Sequence, residues 1–145
     1  MIGLVVTGHG QFAEGMHTSA RMIAGENEHV KYVCFEEGMG LEELAQQLNA
    51  AYASLSDCDG IVVLSDLPGG SPFKTAVEVA VAHPDKKIEV LAGTNLPMIV
   101  TGVTMIDFEE DPAALAEELL TTGKEFMVRF QLTVREEEDE ESDGI

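Results

Sequence analysis

An open, mostly parallel α/β sheet is the architecture this sequence predicts, on three observations. Four short apolar runs, at residues 2–6, 30–35, 61–65 and 88–92, recur at intervals long enough to hold a helix. The intervening stretches carry helical spacing, as in Leu41, Leu44, Ala45, Leu48, Ala51 and Leu55, whose steps of three and four form one stripe. Glycine and proline fall where helices should start or stop.

Taken in order, residues 2–6 are continuously apolar and end at Thr7-Gly8, as suits a strand buried on both faces. A helix follows and stops at Gly25, a residue free to adopt the left-handed conformation of a helix end. The second strand, 30–35, leads to the helix of the Leu41 stripe, and the third strand, 61–65, leads to Ser71-Pro72, read as an N-cap with proline at the first helical position. After the fourth strand comes more helix, with Asp111-Pro112 starting a last one that ends near Gly123. This βαβ alternation implies a parallel sheet covered by helices on both sides, with right-handed crossovers. From Phe126 to Val134 the pattern changes to strict alternation, Phe126, Val128, Phe130, Leu132 and Val134 against Met127, Arg129, Gln131 and Thr133. That period predicts an antiparallel edge strand with one wetter face, and a long alternating edge invites a dimer contact or strand exchange. Residues 1–134 thus form one domain, while 135–145, with seven acidic residues and no apolar anchor, read as a disordered tail.

Composition narrows the function. A formal charge of −19, from 8 Lys and Arg against 27 Asp and Glu, excludes nucleic acid and anionic membranes as partners and favours neutral or basic faces. Cys34 and Cys58 stand in no zinc or C-x-x-C spacing and read as free thiols of a reducing compartment; no metal is expected. Neither a leader nor a spanning segment is visible, so the expected location is the cytoplasm.

The candidate chemistry lies where strands hand over to helices. In an open parallel sheet, ligands bind beyond the carboxyl ends of the strands, where the strand order reverses. In a flavodoxin-like order 2-1-3-4, strands one and three are neighbours, so His9 in VVTGHGQFAEG and Asp66 in SDLPGGSPF would face each other. A carboxylate accepting the proton of one ring nitrogen fixes the tautomer and leaves the other nitrogen nucleophilic. Glycines at 8 and 10 clear the approach of a bulky partner. Gly69, Gly70 and Ser71 precede a helix whose first amides and dipole suit an anion. The four crevice loops, 7–11, 35–40, 66–72 and 93–97, contain no Lys or Arg, and no G-x-x-x-x-G-K-[ST] loop is present. A resident nucleoside triphosphate would be poorly neutralised there; a single phosphoryl group on His9, held by amides and the Ser71 hydroxyl, fits better. Thr7 and Asn95 are candidates to line the site, Asn95 with an equal reading as a turn residue before Pro97, and Met39 and Met98 are candidates for its docking face. His17, His29 and His83 read as ordinary polar or capping histidines.

With these motifs in order, GHGQFAEG, DLPGGSPF at 66–73 and GTNLPM at 93–98, the sequence resembles the IIA component of the mannose-type phosphotransferase system of bacteria, up to about residue 125. The resemblance implies that His9 takes phosphate from the phosphohistidine of the carrier HPr and passes it to a histidine of the IIB component, for a sugar imported by the membrane IIC and IID components. It implies phosphate on Nε2 of His9 with Asp66 on the Nδ1 side, no cofactor, peripheral association with the transporter, and a homodimer that exchanges its C-terminal strand. The sugar is chosen by the membrane components, and mannose, fructose, sorbose, an amino sugar or a sugar acid all fit. Because the chain ends in an acidic tail, IIB is expected as a separate chain. Two other readings share this fold: a non-catalytic regulatory or anion-binding module, and the phosphoryl donor subunit of a dihydroxyacetone kinase, whose usual HPr-like extension is missing here.

Overall fold

The computed structural model describes residues 1–134; the acidic tail expected over 135–145 lies outside the described residues. Nine elements follow in the order β1 (Ile2–His9), α1 (Phe12–Ala24), β2 (Val30–Phe35), α2 (Leu41–Ser54), β3 (Gly60–Ser65), α3 (Ser71–Val81), β4 (Ile88–Leu91), α4 (Leu96–Met105) and α5 (Pro112–Glu125). The strands form one parallel sheet, as the alternation predicts, in the flavodoxin-like order β2-β1-β3-β4.

Side-chain alternation divides the molecule into two cores. Ile2, Leu4, Val6, Val62 and Leu64 pack under the helical layer that contributes Ala20, Ile99, Val103, Leu115 and Leu119 from α1, α4 and α5. Val5, Val33, Ile61 and Val63 face the other way, against Leu44, Leu48 and Tyr52 of α2 and Ala76 and Val79 of α3. Both faces of β1 and β3 are therefore covered, which is why their sequences read as unbroken apolar runs. Burial raises the Tyr52 hydroxyl's pKa, and it donates to the Ala76 carbonyl at 3.3 Å, tying α2 to α3.

Three local expectations need correction. β1 runs three residues beyond Val6, because Thr7, Gly8 and His9 pair in register with Val33, Cys34 and Phe35 of β2. Ser71 is the first helical residue of α3 and not its cap; Gly70 holds that position in an extended conformation. The antiparallel edge strand expected over 126–134 is absent from the single chain: Phe126 closes α5 and residues 127–134 carry no regular structure. The physical reason is partnership, since Val128, Phe130, Leu132 and Val134 are all more than four-fifths exposed and meet no edge of this chain's own sheet. The Asp111-Pro112 start of α5 is as expected, with the Asp111 carboxylate accepting from the Ala113 amide at 3.1 Å. Both cysteines are free and half-buried. No helix of the described residues is long and apolar enough to cross a membrane.

Candidate functional site

The site is built where β1 and β3 leave the sheet side by side. Thr7 pairs with Ser65, so the next residues of each chain segment, ending in His9 and Asp66, emerge at the same edge. The Asp66 carboxylate then fastens His9 twice through one oxygen: Oδ2 accepts from the His9 backbone amide at 2.8 Å and bonds ring Nδ1 at 2.7 Å. Its other oxygen accepts from the Leu67 amide at 2.8 Å. Burial alone would raise the Asp66 carboxyl's pKa, but the hydrogen bonds from the His9 amide and ring and from Leu67 outweigh it and hold the group below the usual carboxylate range. The Asp66 side chain is 12% exposed and that of His9 46%, an ionised carboxylate underneath and a ring presented outward.

Tight spaces around the ring demand glycine. A Cβ at Gly70 would lie 2.9 Å from His9 Cε1, so the loop before α3 passes directly beside the imidazole. A Cβ at Gly8 would meet the Phe12 ring at 2.5 Å and Asp66 Cγ at 3.0 Å. Gly10 at φ 57° and Gly69 at φ 77° take left-handed turns that side chains disfavour. No side chain caps α3, which leaves its first-turn amides beside the ring without a side-chain acceptor.

Five predicted residues, His9 at the end of β1 and Asp66, Gly69, Gly70 and Ser71 from the end of β3 to the start of α3, thus fall at the two strand ends that meet at this edge, with Gly10 in the turn that follows His9 and its amide bonded to the Phe35 carbonyl. Two others are placed differently. Thr7 is wholly buried, because β1 extends past it, and its hydroxyl has no partner among the described residues. Asn95 is committed to the helices: its Oδ1 caps α4 by accepting from the Met98 amide, and its Nδ2 donates to the Gly123 carbonyl at 2.9 Å. Met98 is likewise in the core, 2% exposed, against Gly123. Unforeseen members are Phe35, whose ring stands edge-on to His9 at 6.0 Å, and Phe12, packed over Gly8. Phe35 was accessible only through the register that sets it opposite His9 at the end of β2.

Comparison with known proteins identifies the family. The family model described as "PTS system fructose IIA component", of the mannose-type EIIA family, matches residues 3–120. The chain belongs to the mannose-type phosphotransferase IIA family. It is 38% identical over 130 residues to the mannose-specific EIIAB component of Escherichia coli K12, covering 86% of this chain and 38% of that protein's length. The sorbose-specific EIIA component of Klebsiella pneumoniae is 32% identical over 98 residues, 68% of this chain and 70% of the relative. Among solved structures, the mannose/sorbose IIA subunit of Enterococcus faecalis superposes with a TM-score of 0.81 at 27% identity, covering 92% of this chain and 98% of its own. An EIIA component from Streptococcus agalactiae gives 0.79 at 33% identity, over 89% and 97%. The chain spans 38% of the length of the mannose-specific relative it matches, and its single parallel α/β sheet shares the fold of these solved IIA structures.

Proposed function

We propose that this IIA chain is a protein-to-protein phosphotransferase in which His9 accepts a phosphoryl group from phospho-HPr and donates it to a IIB component for sugar uptake. The observation that carries the reading is the 2.7 Å bond between His9 Nδ1 and Asp66 Oδ2. With Nδ1–H donating to an ionised carboxylate, the lone pair is on Nε2, the ring nitrogen away from Asp66.

In the transfer, the Nε2 lone pair forms a bond to phosphorus as the N–P bond of the donor phosphoimidazole breaks, its electrons staying on the donor ring. The Nδ1 proton stays between His9 and Asp66, where the carboxylate offsets the positive charge that the ring acquires. The phosphoryl oxygens meet the uncapped first turn of α3, with the Ser71 hydroxyl as a further donor. The reverse sequence hands the group to the acceptor histidine. Neither metal nor nucleotide enters these steps, because the donor bond is already activated and the protein supplies position and charge complementarity.

A homodimer using residues 126–134 and a cytoplasmic location beside the membrane components complete the reading. The test is incubation of the whole chain with phosphoenolpyruvate, enzyme I and HPr, followed by intact mass. An acid-labile gain of one phosphoryl group, absent in His9→Ala, is expected. No gain in the wild type assigns the fold a regulatory, non-catalytic role instead.

A further inference from the structure

At the opposite edge of the sheet from His9, the segment entering β2 and the turn between α2 and β3 bring together three side chains of different chemistry. His29 Nε2 lies 3.2 Å from Asp57 Oδ2, and Cys58 Sγ lies 3.9 Å from Asp57 Oδ1. The ligating atoms of all three fall within 4.8 Å of one another, the one such trio of donors among the described residues. We propose that His29, Asp57 and Cys58 bind a single borderline divalent cation, Zn²⁺ being the ion that nitrogen, oxygen and sulfur donors on one centre select.

The donor set decides the class of ion. A thiolate with an imidazole excludes Mg²⁺ and Ca²⁺, which take oxygen, and suits Zn²⁺ in a four-coordinate site with solvent in the fourth position. Bond lengths of about 2.0–2.3 Å place tetrahedral donor atoms about 3.3–3.8 Å apart. His29 and Asp57 are at that separation already. The remaining contraction falls to rotation about the side-chain bonds of Asp57, which is 62% exposed, and of half-buried Cys58.

Both sides of the site are pinned by the backbone. The His29 carbonyl accepts from Leu4 of β1 at 2.9 Å, its amide donates to the Asn27 side chain at 2.9 Å, and the Cys58 amide donates to Leu55 at 3.0 Å. A cavity of about 320 Å³, whose lining includes Cys58, Asp59 and Asp85 as well as Lys86 and Lys87, borders the Cys58 side of the trio. Without a cation the thiol is held protonated, since burial and then the Asp57 charge push its pKa up to about 11. Binding reverses this: a Zn–S bond forms as the thiol proton leaves to water, the proton on His29 Nε2 that faces Asp57 passes through solvent to Nδ1 so that the Nε2 lone pair can ligate, and the imidazole and carboxylate displace further waters, with no change of oxidation state. A chain carrying −19 charges concentrates cations at its surface.

The test titrates the metal-free full chain with Co²⁺ as a spectroscopic probe and then with Zn²⁺. One equivalent of Co²⁺ should give visible bands of a four-coordinate ion with a thiolate charge-transfer band, bleached by Zn²⁺. In Cys58→Ser the charge-transfer band should vanish, and in Cys58→Ser and His29→Ala Zn²⁺ affinity should fall about tenfold or more. Co²⁺ and Zn²⁺ binding by Cys34→Ser and His9→Ala should match that of the wild type. Absence of the thiolate band in the wild type, or its loss in Cys34→Ser or His9→Ala with survival in Cys58→Ser, overturns the assignment. A check independent of variant folding is alkylation of the wild type: Zn²⁺ should protect Cys58 and leave Cys34 unprotected, and equal labelling of Cys58 with and without Zn²⁺ refutes the site.

Discussion

Replacing Asp66 by Asn changes one atom and inverts the hydrogen-bond logic of the site. Asp66 accepts from three donors, the His9 amide, His9 Nδ1 and the Leu67 amide. An amide side chain has one accepting oxygen, so its NH2 must face a backbone N–H whichever way it is flipped. With the NH2 toward His9, the ring is driven to the tautomer whose Nδ1 accepts, which places the proton on Nε2 and removes the nucleophilic lone pair. With the NH2 toward Leu67, the ring keeps its tautomer but its bond weakens from charge-assisted to neutral, a loss of about 1–1.5 kcal/mol. At about 1.4 kcal/mol per decade, the second arrangement alone slows transfer about 5- to 10-fold, and the first slows it further. The unsatisfied donor costs the fold about 1–3 kcal/mol, well within what a domain of this size tolerates. The assay is a rapid-quench time course of phosphoryl transfer from phospho-HPr, alongside urea unfolding. A folded Asp66→Asn protein that transfers at the wild-type rate would refute the argument that the carboxylate sets the tautomer.

Gly70→Ala should lower the transfer rate about tenfold with little loss of stability, since its Cβ would press on His9 Cε1 from 2.9 Å while the backbone conformation is one any residue adopts; a wild-type rate in the same quench assay would show that the loop yields freely. Asn95→Ala should cost about 1–2 kcal/mol in urea unfolding, through the lost cap at Met98 and the orphaned Gly123 carbonyl, without changing the intrinsic transfer rate. The pH profile of stability follows from the depressed carboxyl of Asp66: its contribution is complete above the ordinary carboxylate pKa and is lost as pH falls through the lower folded value, so Asp66→Asn should be less acid-sensitive than the wild type below about pH 4. Truncation after Met127 should convert the proposed dimer to a monomer by light scattering and lower its thermal midpoint, because the removed apolar side chains, exposed in the single chain, would be covered only in the dimer.

The sheet was legible because β1 and β3 are covered on both faces and carry unbroken non-polar runs, residues 2–6 and 61–64. The strand order, by contrast, is no part of that pattern: 2-1-3-4 enters as the flavodoxin-like order, from which His9 facing Asp66 follows, and β2, with four of six residues only half-buried, carries a weaker signal of its own. What the pattern could not show was how far β1 runs: Thr7, Gly8 and His9 look like a loop, and only their register with β2 makes them strand and withdraws Thr7 from the surface. The same limit applies to Asn95, for which turn and site readings were equal until its two hydrogen bonds to helices appeared. Alternation at 126–134 announces a strand but not its partner, and a strand without one does not form. His29 and Cys58 belong to no linear metal motif, because their proximity is created by β1 lying between the segments that carry them.

The double tether of His9 to one carboxylate oxygen has a kinetic corollary. A ring fixed by its own main-chain amide and by Nδ1 has no reach: it cannot swing its cargo from one visitor to another as a long flexible arm would. Giver and receiver must therefore visit the same nitrogen in turn, each leaving before the next can dock, so an excess of unloaded receiver should compete with loading and the steady-state kinetics should be ping-pong.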